Sequence, residues 1–292
     1  MIVHHWNCGP EGLRGTLGSM SLESEQASPG LGRYVAPLGG GLRSGLARLG
    51  SVAWLGWVCL RQLLKLRTDQ LGVIFDQTKL QVRFTALDAL PLALLTALLL
   101  GGITLIQVYA QVSGFGAETY LSQLLAQLVI RELGPLLIAV IVIGRSGTAI
   151  AAEMASIKLN LEVDALSAMG VNPIQYLLLP RILGGIVSVF TLVVLFDAAA
   201  LLGGFLLAWS RLPLSADFFG QALGAAIGWR ELAITFTKAV TFGAMIPLVC
   251  ASSGLRVRQS STEIPQAVTA AAVASLVAVF LLGAFLSVLI YG

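Results

Sequence analysis

The sequence predicts an all-α integral membrane protein: an N-terminal interfacial helix, five transmembrane helices and a short cytoplasmic helix between the second and third spans. Three observations carry this reading. The chain is 57% hydrophobic and only 11% charged, whereas about a quarter of the residues in a soluble domain are charged. Its apolar residues lie in uncharged blocks, one of them 24 residues long, and about 20 suffice to cross a bilayer. Its basic residues fall unequally on the two sides that those blocks define. The net charge of +3 is too small to suggest nucleic acid as a partner.

Residues 1–45 read as a flexible tail, with ten Gly and three Pro and no apolar core of a secretory signal. The adjacent His4 and His5 are read as part of that tail rather than as metal ligands. Cys8, Cys59 and Cys250 are isolated, so neither a metal site nor a disulfide framework is expected. Residues 49–67, LGSVAWLGWVCLRQLLKLR, hold an uncharged run of 12, too short to span. Arg48, Arg61, Lys65 and Arg67 flank that run and Trp54 and Trp57 sit inside it, the composition of a helix lying in the membrane interface. An amphipathic helix packed on protein is the alternative.

The first span is 89–112, about 36 Å long as a helix. The second, 121–155, is interrupted by Arg131-Glu132, Pro135 and Arg145. The third, 181–210, contains Asp197; the fourth, 232–253, contains Lys238; the fifth, 267–291, is uncharged. Thirteen Lys/Arg fall on the side of the N-terminus and two on the other, outside the spans. The N-terminus is therefore expected in the cytoplasm. No internal repeat is evident.

Residues 156–173, SIKLNLEVDALSAMGVNP, break the apolar pattern on that cytoplasmic side. Ile157, Leu159, Leu161 and Val163 alternate with polar residues, a period of two. From about 161 to 169 a helix reads better. Asn160 can cap it, Glu162 and Asp164 suit its N-terminal end, and Val163, Leu166 and Met169 share a face. Gly170 can close it and Pro173 stops it. Such an element can transmit force to a soluble partner, or it can be a re-entry turn resting on the membrane.

Arg131, Glu132, Arg145, Glu153, Asp197 and Lys238 lie in or near apolar segments. A charge at the bilayer centre costs about 2.5–3.5 kcal/mol, so such groups face the bundle interior or a wet cavity. Arg131 and Glu132 point about 100° apart on one helix and cannot be assumed to pair. Pro135 lacks an N–H and frees the carbonyl near residue 131, where a polar pocket could open. These charges read either as a headgroup or ion site, or as interhelical ion pairs and snorkelling side chains. Small-residue stripes, Gly220/Gly224/Gly228 and Ala270/Ala274/Ala278, are weak signals for close helix packing. There is no GxxxxGK[ST], no HExxH and no His outside the tail. A membrane-embedded enzyme is thus the reading with least support.

The stretch RELGPLLIAVIVIGRSGTAIAAEMASIKLNLEVDALSAMGVNPIQYLLLPRIL, residues 131–183, resembles the MlaE family of ABC transporter permeases. The matching pieces are Arg131–Pro135, Gly144-Arg145-x-Gly147, Ala149–Glu153, Lys158, Asp164–Val171, Pro173 and Pro180-Arg181. FGAETY at 115–120 is similar to the family's turn before the second span. The chain departs from the family pattern at Asn160, Ser167 and Asn172, and QSSTEIPQAVT replaces a Gly-rich segment leading into GRATT.

The resemblance implies a permease domain over residues 46–292 that works as a homodimer and has no cofactor of its own. A separate ABC ATPase carrying ATP-Mg binds its cytoplasmic face, and an MCE-domain lipid-binding protein sits on the other. The cargo is phospholipid or a related membrane lipid, and the setting a bacterial inner membrane or a plastid envelope. Residues near 161–169 become the coupling helix, with Lys158, Glu162, Asp164, Ala165, Leu166, Met169 and Gly170 as ATPase contacts. Tyr109, Arg131, Glu132 and Lys238 match the polar lining of the substrate cavity. An ion-coupled secondary transporter using Asp197, Glu132 or Lys238, and a non-transporting scaffold, are the alternatives.

Overall fold

A computed structural model describes residues 56–59, 61, 71–112, 126–211, 228–257 and 260–291. The expected tail at 1–45 lies outside the described residues, as do Gly220 and Gly224. Of the expected interfacial helix, residues 56–59 and 61 are described and all are helical. There the Arg61 guanidinium lies 4.9 Å from the centre of the Trp57 ring.

The elements are α1 (Leu71–Val82), α2 (Asp88–Val112), α3 (Gly134–Val142), α4 (Thr148–Leu159), α5 (Glu162–Ala168), α6 (Leu179–Arg211), α7 (Trp229–Gly254) and α8 (Ile264–Tyr291). Wider π-helical turns, Arg83–Leu87, Ala126–Leu133, Ile143–Gly147 and Ile174–Leu178, join several of these into longer rods. Three of the four end shortly before a proline: Pro91, Pro135 or Pro180. A proline cannot donate to the carbonyl four residues back and crowds it, and a widened turn relieves that conflict.

Five rods are long and apolar enough to cross a membrane: Ile74–Ala110, Leu128–Leu159, Ile174–Leu207, Trp229–Gly254 and Ser261–Ile290. The number agrees with the sequence reading, but the first rod starts well before residue 89. Asp76, Lys79, Arg83 and Asp88 lie on its early turns, so charge content marked where lipid would begin rather than where the helix begins.

The core is built from Ile138, Ala139 and Val142 of α3, Val189, Leu192, Val193 and Phe196 of α6, and Phe242 and Ile246 of α7. The first and third rods touch backbone to backbone. A Cβ on Gly101 would collide with the Ala200 carbonyl, and one on Gly203 with the Leu98 carbonyl. Neither Gly101 nor Gly203 belongs to the Gly220/Gly224/Gly228 stripe that spacing singled out. In α8 the buried face runs through Ala271, Ser275, Ala278 and Val279, while Ala270 is exposed. Of the Ala270/Ala274/Ala278 stripe, Ala278 lies on the packing face, Ala274 packs against it in part and Ala270 falls outside it. Large apolar side chains such as Leu95, Leu99, Phe280 and Phe285 point outward, as lipid-facing positions do.

Candidate functional site

Two features stand out, one near each end of the second rod. The first is a polar cluster around Lys238. Residues Ala126–Leu133 form a π-helical turn just before Gly134-Pro135, so its carbonyls lack part of their usual helical partners. Two of them accept from α7 instead. Lys238 Nζ donates to the Arg131 carbonyl at 3.0 Å, and Thr235 Oγ1 donates to the Ile130 carbonyl at 3.2 Å. The carbonyl that Pro135 was expected to free is the one Lys238 takes.

Lys238 Nζ also lies 2.7 Å from Glu132 Oε1 and 2.9 Å from Ser287 Oγ. Ser287 in turn donates to both Glu132 oxygens, at 3.1 and 3.2 Å. An ammonium has three N–H groups, and all three are occupied here. The pair is asymmetric: the Lys238 side chain is 2% exposed and that of Glu132 36%. Glu132 therefore presents its carboxylate outward while Lys238 supports it from within. Arg131 is itself buried.

Of the residues expected to line a cavity, the structure brings Arg131, Glu132 and Lys238 together. Tyr109 is half-buried against the apolar core, and no hydrogen bond joins it to the cluster among the described residues. Ser287 and Thr235 were missed. A Ser near the end of the uncharged fifth span, one of two there, was the available signal for the first; Thr235, one helical turn before Lys238, could have signalled the second.

The other charges that the sequence places in or near the spans do other things; Arg145 and Glu153 are exposed. Arg145 Nη2 lies 2.8 Å from Asp88 Oδ2 and Arg181 Nη2 2.7 Å from Glu153 Oε1. Asp197 is buried, with Oδ1 lacking a hydrogen-bond partner and set where a Cβ on Gly134 would collide with it.

The second feature is α5, about 40 Å further along the second rod from Glu132 at 1.5 Å per residue. The period-two pattern before it is not a strand: Ile157 and Leu159 complete the last turn of α4. Asn160 closes α4 rather than capping α5, and its side chain donates to Glu162 Oε1 at 3.2 Å. The residue before α5 is Leu161, held left-handed at φ 58°. Gly170 ends the segment at φ 76°. The Gly170 N–H reaches the Ser167 carbonyl at 3.1 Å and the Val171 N–H the Leu166 carbonyl at 3.0 Å. These two bonds make a Schellman turn, for which Gly is the favoured residue. Pro173 then opens the next helix rather than ending this one. Asn172 caps that helix, its Oδ1 accepting from the Ile174 N–H at 3.0 Å.

No residue of α5 is buried. Val163 and Leu166 lean on the core, but Met169, still bonded to the Ala165 carbonyl at 3.1 Å, is 69% exposed. Among the expected contacts, Glu162, Asp164, Ala165, Met169 and Gly170 are exposed, whereas Leu166 anchors the helix and Lys158 is half-buried. Leu161, 63% exposed, is an exposed apolar side chain beside these residues that the sequence reading did not include among the contacts.

The Permease MlaE family model matches residues 79–289. The chain belongs to the MlaE permease family. The match takes in both the Lys238 cluster and α5, and leaves residues 1–78 outside it. A probable ABC transporter permease protein of Rickettsia typhi is 30% identical over 67% of this chain and 75% of its own length. The intermembrane phospholipid transport system permease protein MlaE of Haemophilus influenzae is 29% identical over 73% of this chain and 82% of its own. A probable ABC transporter permease protein of Synechocystis is 30% identical over 72% and 80%. As an MlaE permease, the chain is a multi-pass membrane protein of an ABC transport system, and its five rods fit that description.

Proposed function

We propose that the chain moves phospholipid between membranes as a homodimer, driven by a separate ATPase that holds ATP-Mg and docks on α5. An MCE-domain protein would receive or deliver lipid at the opposite face. The setting is the inner membrane of a bacterial cell, with the N-terminus and α5 in the cytoplasm. The observation that carries the reading is α5 itself. It is a seven-residue helix with no buried residue, held between two spans by turns at Leu161 and Gly170. A transport chain has little use for so exposed an element unless something grips it.

The lipid end of the reading rests on the Lys238 cluster. Because Lys238 is saturated, it does not meet a phosphate directly while the cluster is intact. Its role is to hold the exposed side of the Glu132 carboxyl group in place, where a headgroup amine or hydroxyl could bind. A phosphate would reach Lys238 Nζ by displacing Ser287 or Glu132. Purification of the chain from its own membranes, followed by mass spectrometry of the proteins and lipids that accompany it, tests both ends. An ATPase and bound phospholipid are expected. Transport that persists without ATP but collapses when the proton gradient is dissipated would favour ion coupling instead.

A further inference from the structure

The two ends of this machine are about 40 Å apart along the second rod, and α5 is joined to its flanking helices only through turns. Both turns are left-handed, at Leu161 (φ 58°) and Gly170 (φ 76°). Continuous helix would carry a push along its axis, whereas such turns let a short helix swing. Val163 and Leu166 are the side chains of α5 that pack on the core. An ion pair crosses between the two flanks, which also share the apolar core. Arg181, at the start of α6, sends Nη2 to Glu153 Oε1 on α4 at 2.7 Å. Its Nη1 donates to the Leu177 carbonyl at 2.6 Å, in the π-helical turn Ile174–Leu178. The guanidinium fork thus spans both legs of the hairpin that holds α5, and it fixes the widened turn as well. Its side chain is 12% exposed, while that of Glu153 is 56% exposed.

We propose that Glu153 and Arg181 form a positioning clamp that makes the second and third spans answer together to a load on α5, so that breaking it separates ATP turnover from lipid movement. This rests on the reading of α5 as the ATPase handle. Neither residue belongs to the Lys238 cluster or to α5. With Nη2 on Glu153 and Nη1 on the Leu177 carbonyl, the planar guanidinium is held at two points, which fixes its direction where an ammonium would not.

The test uses the complex of the chain with its ATPase and lipid-binding partner, in vesicles of phosphatidylethanolamine and phosphatidylglycerol with a fluorescent phosphatidylglycerol as probe. ATP hydrolysed and lipid moved are measured together. Glu153→Ala is expected to keep the ATPase bound and hydrolysing while lipid moved per ATP falls about fivefold or more, the range of ordinary site-to-site coupling. Glu153→Asp, which keeps the charge, should restore most of it. Arg181→Met repeats the test without an orphaned cation, should Glu153→Ala fail to accumulate. An unchanged ratio in Glu153→Ala, equal defects in Glu153→Ala and Glu153→Asp, loss of bound ATPase in step with lipid movement, or failure of both disrupting variants to accumulate would each overturn the clamp. A different result, an unmodified chain that brings no ATPase with it, would overturn the reading of α5 instead.

Discussion

Lys238 Nζ sits 2.7 Å from Glu132 Oε1 and is almost wholly enclosed, while Glu132 is about one-third open. That inequality means the two halves of the pair are not equivalent to mutation.

Glu132→Ala leaves a buried ammonium without its counter-ion, and breaking a buried pair costs about 3 kcal/mol or more. Lys238→Met leaves a carboxylate that can still reach water and fills the space with an apolar stem. We expect it to cost about 1 kcal/mol. Thermal unfolding of the two variants in detergent should rank Lys238→Met above Glu132→Ala; the reverse order would show that the cluster is not held together from the lysine side. Glu132→Gln should assemble yet transport less lipid.

Ser287→Ala removes one acceptor from Lys238 and one donor to Glu132. A loss of about 1 kcal/mol is expected, with a larger fall in lipid retained on purification than in thermal midpoint. Equal lipid content in variant and unmodified protein would remove the fifth span from the site.

Gly203→Val would force the third rod away from the Leu98 carbonyl, and overpacking of that kind typically costs about 1–3 kcal/mol or more. Reduced accumulation in the membrane, read by quantitative immunoblot, is the expected outcome. Gly220→Val should have a smaller effect if the spacing signal there is without consequence.

Gly170→Ala places a Cβ on a residue at φ 76°, costing about 1 kcal/mol. Because open space surrounds that position, the cost is conformational rather than steric. The variant should fold and reach the membrane but recover less ATPase on purification; full recovery would show that the Schellman turn has no part in docking.

What the sequence disclosed, it disclosed through absences and interruptions. The run 89–112 was legible because it carries no charge. The helical turns before it were not, because Asp76, Lys79, Arg83 and Asp88 end the apolar pattern without ending the helix. Pro135 announced the carbonyl that Lys238 takes, since a missing N–H has one geometric consequence. Glu132 as the lysine's partner could not be read, because the two lie on different helices and no spacing relates them. The end of α5 was legible in Gly170. Its opening turn was not, because Leu161 has no propensity for the left-handed region and Asn160, the expected cap, closes α4 instead. Direct approach at Gly101 and Gly203 was hidden among 32 glycines.

The central claim is that α5 is where an ATPase takes hold. Affinity purification of the chain carrying Asp164→Arg with Met169→Ala, both exposed and neither supporting the core, tests it most directly against the unmodified chain. The account predicts an ATPase at a fixed ratio with the unmodified chain and its loss from the double variant, with membrane accumulation and bound lipid unchanged. An ATPase retained at full ratio by the double variant, or absent from both, would contradict it.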